Sequence, residues 1–213
     1  MSGRRAGCWL VVAAVLGWAS PGAAADTAVV GHVVRTVGFV TLVRDDSTRV
    51  VPEGAEVRAA DRIVTAADGR VEIAGRDGTV LVIGPASEIV VAEYAVDVRG
   101  LRLRAVLSLL GGVLRATVAA AADGAGFDVE TRVAVASVRA TDWVVESETP
   151  DRAAVFVVEG AVEVTARAVP PAAPASVRLE AGFGTDVVAG QPPTPPKAWG
   201  RARIEAVLAK TRL

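Results

Sequence analysis

Carboxylates are the side chains that could most readily do chemistry in this chain: Asp61, Asp68, Asp77, Glu88, Asp142 and Glu159. Two facing acids would suit hydrolysis of a glycosidic bond, one donating a proton while the other attacks or activates water. An Asp-rich turn would suit calcium. Most of these acids, however, sit beside glycine or in turn-like stretches, where Asp ordinarily bonds its own backbone. Asp68-Gly69 and Asp77-Gly78 also lack the alternating ligands of a calcium loop. His32 is the sole histidine, so no multi-His metal site can form. Alternation in "GHVVRTV" groups it with Val30 and Val34, and a structural role is expected. No Gly-x-Ser-x-Gly elbow and no phosphate-cradling Gly-rich loop with lysine is present. The expectation is a non-enzyme with no catalytic residue, no cofactor and no metal.

The stretch "SVRATDWVVES", residues 137–147, interrupts a strand pattern with Arg139, Thr141, Asp142 and Trp143. A polar corner is expected there. Arg139 would pair a carboxylate or carbonyls, Thr141 would bond backbone, and Trp143 would plug the core as the strand resumes.

These residues need a scaffold, and the pattern that supplies it has period two. "LRLRAVL" places Leu101 and Leu103 on one side and Arg102 and Arg104 on the other, and "GRVEIAG" alternates in the same way. "TVLVIG" and "AVFVV" are apolar on both sides and should lie deeper. Turn signals separate the runs at Pro52-Glu53-Gly54, Asp68-Gly69, Asp77-Gly78, Gly84-Pro85, Gly111-Gly112, Asp123-Gly124, Glu159-Gly160 and Gly182. Asp-Gly pairs between strands favour tight hairpins. Burying three valine-sized side chains yields roughly 5 to 9 kcal/mol, whereas ordering seven residues of backbone costs roughly 7 to 14, so the strands must stack on one another. The fold class expected is all-β: a compact stack of short antiparallel strands, solenoid-like or a sandwich, with a short C-terminal helix. The scattered aromatics are expected in its core.

The 213 residues, 52% apolar, suffice for one large domain. Residues 1–25 read as a secretory signal: Arg4 and Arg5, an apolar run from Cys8 to about Ala19, a Ser20-Pro21-Gly22 break and small residues to Ala25. Twelve residues at 1.5 Å span about 18 Å, short of a hydrocarbon core of about 30 Å. Cleavage would remove the only cysteine and leave a mildly acidic chain with no membrane span, no disulfide and no basic field for nucleic acid. The β domain is expected over 26–190, with a proline-alanine loop at 167–176. A stiff Pro-rich linker at 190–197 and an amphipathic helix over 198–213, with Ile204, Val207 and Leu208 on one face, should follow.

Taken in order, the landmarks resemble the FecR-type domain, named for the bacterial iron-citrate regulator. "GHVVRTVGFVTL" is similar to its opening strand, with Gly31 and Gly38. "VPEGAEVRAADRIVTAADGRVEI" carries Gly54, Asp61 and Thr65 in matching places, and "RDGTVLVIGPASEIVV" carries Asp77, Gly78 and Gly84. "FDVETRVAVASVRATDWVV" resembles the stretch that usually reads Thr-Pro, then Val-Arg-Gly-Thr and an aromatic, here Thr131, Arg139, Thr141 and Trp143. Glu159, Gly160 and Gly182 match the closing turns. Arg132 stands where proline is usual, and Ala140 replaces the glycine of the Arg-Gly-Thr turn. Alanine there implies a negative φ. The resemblance covers about 29–188. It implies a non-enzymatic domain beyond the cytoplasmic membrane, periplasmic or secreted. Iron-responsive members sense an outer-membrane transporter and relay to a σ factor through a cytoplasmic helical segment and a membrane span. This sequence shows neither, so a free or envelope-associated signalling and binding module is expected, its partners unidentified envelope proteins. A self-associating structural envelope protein and a carboxylate-dependent hydrolase are the alternatives.

Overall fold

The computed structural model describes residues 29–97, 99, 101–120, 125–168 and 175–213. The expected signal peptide, residues 169–174 of the expected proline-alanine loop and the Asp123-Gly124 turn lie outside the described residues. The chain opens with β1 (Val29–Val37), β2 (Val40–Arg44), β3 (Ser47–Val50), β4 (Glu56–Arg58), β5 (Arg62–Thr65) and β6 (Arg70–Gly75). It continues with β7 (Val80–Ile83), β8 (Glu88–Val96), the long β9 (Arg102–Val118), β10 (Gly126–Glu130), β11 (Ala134–Val138) and β12 (Thr141–Thr149). It closes with β13 (Arg152–Glu159), β14 (Ala161–Ala166), β15 (Ser176–Glu180), β16 (Phe183–Val188), β17 (Lys197–Ala198) and α1 (Arg201–Ala209). The fold is all-β with one short C-terminal helix, as the alternating pattern requires.

Pairing sorts the strands into two ladders. Ladder A runs β4-β1-β6-β7-β9-β12-β13-β16-β17, and ladder B runs β3-β2-β5-β8-β9-β10-β11-β14-β15. Every pairing is antiparallel except β9 with β10. Both ladders contribute to one core: Val33, Ile73 and Val155 come from A, and Leu42, Ile89 and Val129 from B. Neither ladder could bury its apolar face without the other.

The chain changes ladder repeatedly. Asp68-Gly69, expected as a hairpin, is a corner that carries the chain from β5 in ladder B to β6 in ladder A; Asp77-Gly78 does close a hairpin, between β6 and β7. Gly111-Gly112, expected as a turn, lies inside β9. Up to Gly111 that strand pairs with β8 and β10, and from Gly112 onward with β12 and β7. Gly112 has a φ of 91°, and a Cβ there would overlap the Ser87 side chain, so glycine lets the strand pass from one ladder to the other without turning back.

Two expectations about sidedness are corrected. Around "LRLRAVL" the alternation breaks: Leu101, Leu103 and Arg104 face solvent while Arg102 is wholly buried. His32 is exposed on the outer face of ladder A, and Gly31 and Val33 are its buried neighbours. Not all aromatics are in the core. Trp143 and Phe127 are buried, but Phe39 is 55% exposed and Phe183 is also on the surface. The helix starts at Arg201 rather than 198, because Lys197 and Ala198 pair with β16 first. Val207 is its buried residue, with Ile204 and Leu208 packed beside it.

Candidate functional site

The landmark residues lie mostly where the chain turns or changes ladder. Gly31 is within β1, Gly38 follows it, and Gly54 is in the turn before β4. Gly84 follows β7, Glu159 and Gly160 join β13 to β14, and Gly182 joins β15 to β16. The polar landmarks bind their surroundings strongly.

Asp61 is fully buried just before β5. It accepts two hydrogen bonds from the Arg44 guanidinium, each 2.6 Å, and one from the Arg58 amide at 2.7 Å. Hydrogen bonding to Asp61 raises the Arg44 pKa further. Thr65, at the end of β5, donates its hydroxyl to the Gly84 carbonyl (2.7 Å) and accepts from the Ser87 amide (2.9 Å). Ser87 Oγ in turn accepts from the Val113 amide at 2.9 Å. Thr65, Ser87 and β9 are thereby fixed together at the point where β9 changes ladder. Thr131 closes a small turn, its hydroxyl accepting from the Ala134 amide at 3.0 Å and donating to the Ala134 carbonyl at 3.2 Å.

The largest polar assembly surrounds Arg102. Its side chain is 0% exposed and that of its partner Asp77 is 3% exposed. Arg102 donates to the Asp77 carboxylate, to Thr79 Oγ1 (3.0 Å), to the Ala119 carbonyl (3.0 Å) and to the Arg139 carbonyl (3.2 Å). Its guanidinium also lies 5.5 Å from the centre of the Phe127 ring. Burial alone would raise the Asp77 pKa, but the Thr79 hydroxyl and amide, then Arg102, hold it below its ordinary value. Burial, with the Asp77 charge nearby, pushes the Tyr94 phenol far up. Arg102 thus ties the β6–β7 hairpin, the end of β9 and the β11–β12 corner to one another.

That corner contains the Arg-Ala-Thr-Asp-Trp stretch, and its arrangement partly corrects the expectation. The Arg139 side chain is exposed and makes no hydrogen bond or ion pair with the described residues; its carbonyl supplies the contact, and the arginine that uses it is Arg102. Ala140 keeps a negative φ. Thr141 Oγ1 donates to the Ala161 carbonyl at 3.0 Å, and Trp143 is completely buried. Asp142 forms a two-point pair with Arg115 across β9 and β12, at 2.9 and 2.6 Å. Sequence reasoning missed Arg44, Arg102 and Arg115, the cations that neutralise Asp61, Asp77 and Asp142. No sequence signal points to them, because each lies 17 to 27 residues from its acid and other arginines, Arg62, Arg76 and Arg139, are nearer in the chain.

Each of these three acids is held by its own guanidinium, which fixes it to the scaffold. Among the described residues no group of three or more His, Cys, Asp or Glu is placed to hold a metal ion. Among the described residues the unpaired strand edges are β3 and β4 at one end of the ladders, and β15 and β17 at the other.

Comparison with known proteins bears on the fold. A crystal structure of a candidate anti-sigma factor from Parabacteroides distasonis ATCC 8503, at 1.65 Å resolution, shares the fold with a TM-score of 0.55 at 21% identity. The match covers 69% of this chain and 64% of that one. A second structure described in the same words, at 2.50 Å, gives a TM-score of 0.54 at 21% identity, covering 69% and 63%. The chain therefore spans less than two thirds of the length of these solved structures. No curated protein matches the sequence. Residues 61–163 match the family model described as FecR protein, running from the buried Asp61 through both halves of β9 into β14, and the chain accordingly carries a FecR domain.

Proposed function

We propose that this protein is an exported regulatory module that works by holding another protein in the bacterial envelope. The FecR domain supports a signalling role, and the fold shared with a candidate anti-sigma factor supports a protein partner. The polar landmarks support it too, since their hydrogen bonds are spent on the scaffold and leave recognition to the surface. Export rests on the order of basic, apolar and small residues in positions 1–25. No helix among the described residues is long and apolar enough to cross a membrane.

The observation that carries this reading is β3. All four residues, Ser47–Val50, are exposed, and among the described residues only one side of the strand is paired, with β2. An extended segment of a partner can add to the open side, with main-chain hydrogen bonds giving affinity and Val50 and Arg49 giving selectivity. The test places a photocrosslinking residue at Thr48 and, separately, at the exposed Glu163 in β14, a strand of ladder B paired on both sides, in cells that export the protein. A discrete heterologous adduct at Thr48 that is absent at Glu163 is expected, together with an N-terminus near Asp26 on the exported chain. Adducts made only with further copies of this chain would favour the self-assembling envelope protein, and an uncleaved cytoplasmic chain would refute export.

A further inference from the structure

The outer face of ladder A carries a second apolar cluster, separate from the main core: Val113, Val144 and Phe156, joined by Trp199 and Val207 of the C-terminal segment. Alternation produces it. On β12, Trp143 and Val145 enter the core while Val144 points outward; on β13, Phe156 does the same between Val155 and Val157. Strands apolar on both faces need a cover on each, and here the outer cover is α1.

The contacts that seat this segment are those by which a peptide binds a protein. β17 adds two residues to the edge of β16, Ala198 opposite Phe183 and Lys197 opposite Gly184. Trp199 stacks on Phe156 with ring centroids 5.1 Å apart, and the Arg203 guanidinium lies 3.5 Å from the Trp199 ring centre. Gly184 makes room for that indole: a Cβ there would overlap the ring and come within 2.7 Å of the Val155 carbonyl. Arg203 pairs with Asp186 at one end of the helix, and Lys210 pairs with Glu146 and Glu148 at the other. Within the segment itself the support is an exposed Arg201–Glu205 pair at 2.7 Å and the Thr211 hydroxyl donating to the Leu208 carbonyl at 3.1 Å. The helix α1 has nine residues, no side-chain N-cap and no acid in its first turn, and so would be marginal in isolation. It hangs from Thr194, which is fastened to β16 through Asp186 and Thr185, by the short Pro195-Pro196 connector.

We propose that the face beneath α1 is a docking site for a helix of a partner protein, and that residues 197–210 are its tethered resident, displaced when the partner binds. The resident defines the partner's chemistry: a basic helix with a narrow apolar stripe, here Ile204, Val207 and Leu208, led by an aromatic side chain. Without α1 the floor is Val113, Val144, Phe156 and Ala154. Its rim carries Glu146, Glu148, Asp151 and Asp186 against Arg152 and Arg70, the latter donating to the Lys210 carbonyl at 3.1 Å, so a basic helix complements it. Grooves of about 640 and 390 Å³ flank the resident, the first against Ala153, Ala154 and Val187, the second against Ala86 and Gly112. A short tether presents its own occupant at roughly millimolar effective concentration, so the resident sets a threshold that only a better-fitting helix passes. The inference extends the proposed binding function to ladder A and does not depend on the β3 edge.

The probe is a fluorescent synthetic peptide of residues 197–213, titrated into the full-length chain and into the full-length double variant R203E/K210E, whose own helix is repelled by Asp186, Glu146 and Glu148. Peptide binding should be at least tenfold tighter on the variant, and a Trp199→Ala peptide should lose it. Amide exchange on the unmodified chain is the second measurement, independent of whether the variant folds. The α1 amides should exchange at least a hundredfold faster than those of β9 and β12, and faster still at 1 M salt. Peptide that fails to bind a folded variant, or α1 amides protected as strongly as the core strands, would overturn the proposal. A face that binds peptide in protein lacking any Thr48 crosslink would stand apart from failure of the β3 reading.

Discussion

Replacing Asp77 by Ala should be among the most damaging single changes outside the apolar core. The substitution leaves the Arg102 guanidinium buried with Thr79 Oγ1 and two carbonyls, none of which is charged. Removing one member of a fully buried ion pair costs about 3–5 kcal/mol, because the remaining charge keeps its desolvation penalty. For a domain of this size each kcal/mol moves Tm by roughly 2–4 °C, so the expected loss is roughly 6–20 °C. Arg102→Met should cost less on the Asp77 side, since the Thr79 amide at 3.1 Å and hydroxyl at 2.8 Å still bind the carboxylate, although the Ala119 and Arg139 carbonyls lose their donor. The double variant D77A/R102M should be less harmful than the sum of the two. Urea unfolding followed by the fluorescence of buried Trp143 measures all three, and the cycle isolates the pair. A cost below about 1 kcal/mol for Asp77→Ala would refute the reasoning, since it would mean that water reaches the guanidinium.

Gly112→Ala combines a φ of 91° with overlap on Ser87 and should destabilise the fold by about 2 kcal/mol or more, read as a lower urea midpoint at unchanged slope. Thr65→Val keeps the shape but strips the Ser87 amide and the Gly84 carbonyl of their partner, costing about 1–3 kcal/mol in the same assay. Asp186 is held below its ordinary pKa by hydrogen bonding to Arg203, and Glu148 by hydrogen bonding to Lys210. Lowered folded values stabilise docking above the ordinary carboxylate range, and that stabilisation is lost as pH falls through them. The Trp199 environment should therefore be constant near neutrality and change below about pH 4; a change already complete at pH 6 would contradict this.

The period-two alternation was enough to assign the class, because a strand with one wet face leaves no other reading of "GRVEIAG" or "FDVETRV". It also singled out "AVFVV" as doubly covered, which is how Phe156 comes to lie under α1. Sidedness failed at Arg102, where the rule that arginine faces water gave way to a buried carboxylate and three further acceptors. Hydropathy does not report a partner 25 residues away. Gly111-Gly112 misled for a related reason: glycine signals unusual backbone, and a strand passing between ladders needs it as much as a reversal does. The β2–β3 hairpin went unnoticed because its loop is Asp45-Asp46, at φ 48° and 60°, rather than a pair containing glycine. Within the candidate site, Thr141 and Trp143 could be placed from their side chains alone. The Arg139 contact could not, because it is made by a carbonyl that every residue possesses.

Among the described strands β9 alone belongs to both ladders, and that has a mechanical consequence. There is no seam along which one half of the domain can peel off while the other stays intact: any excursion that melts the first strands strips partners from the same backbone that organises the last ones. Tension applied at one end of the protein is thereby delivered to the other through a single continuous segment.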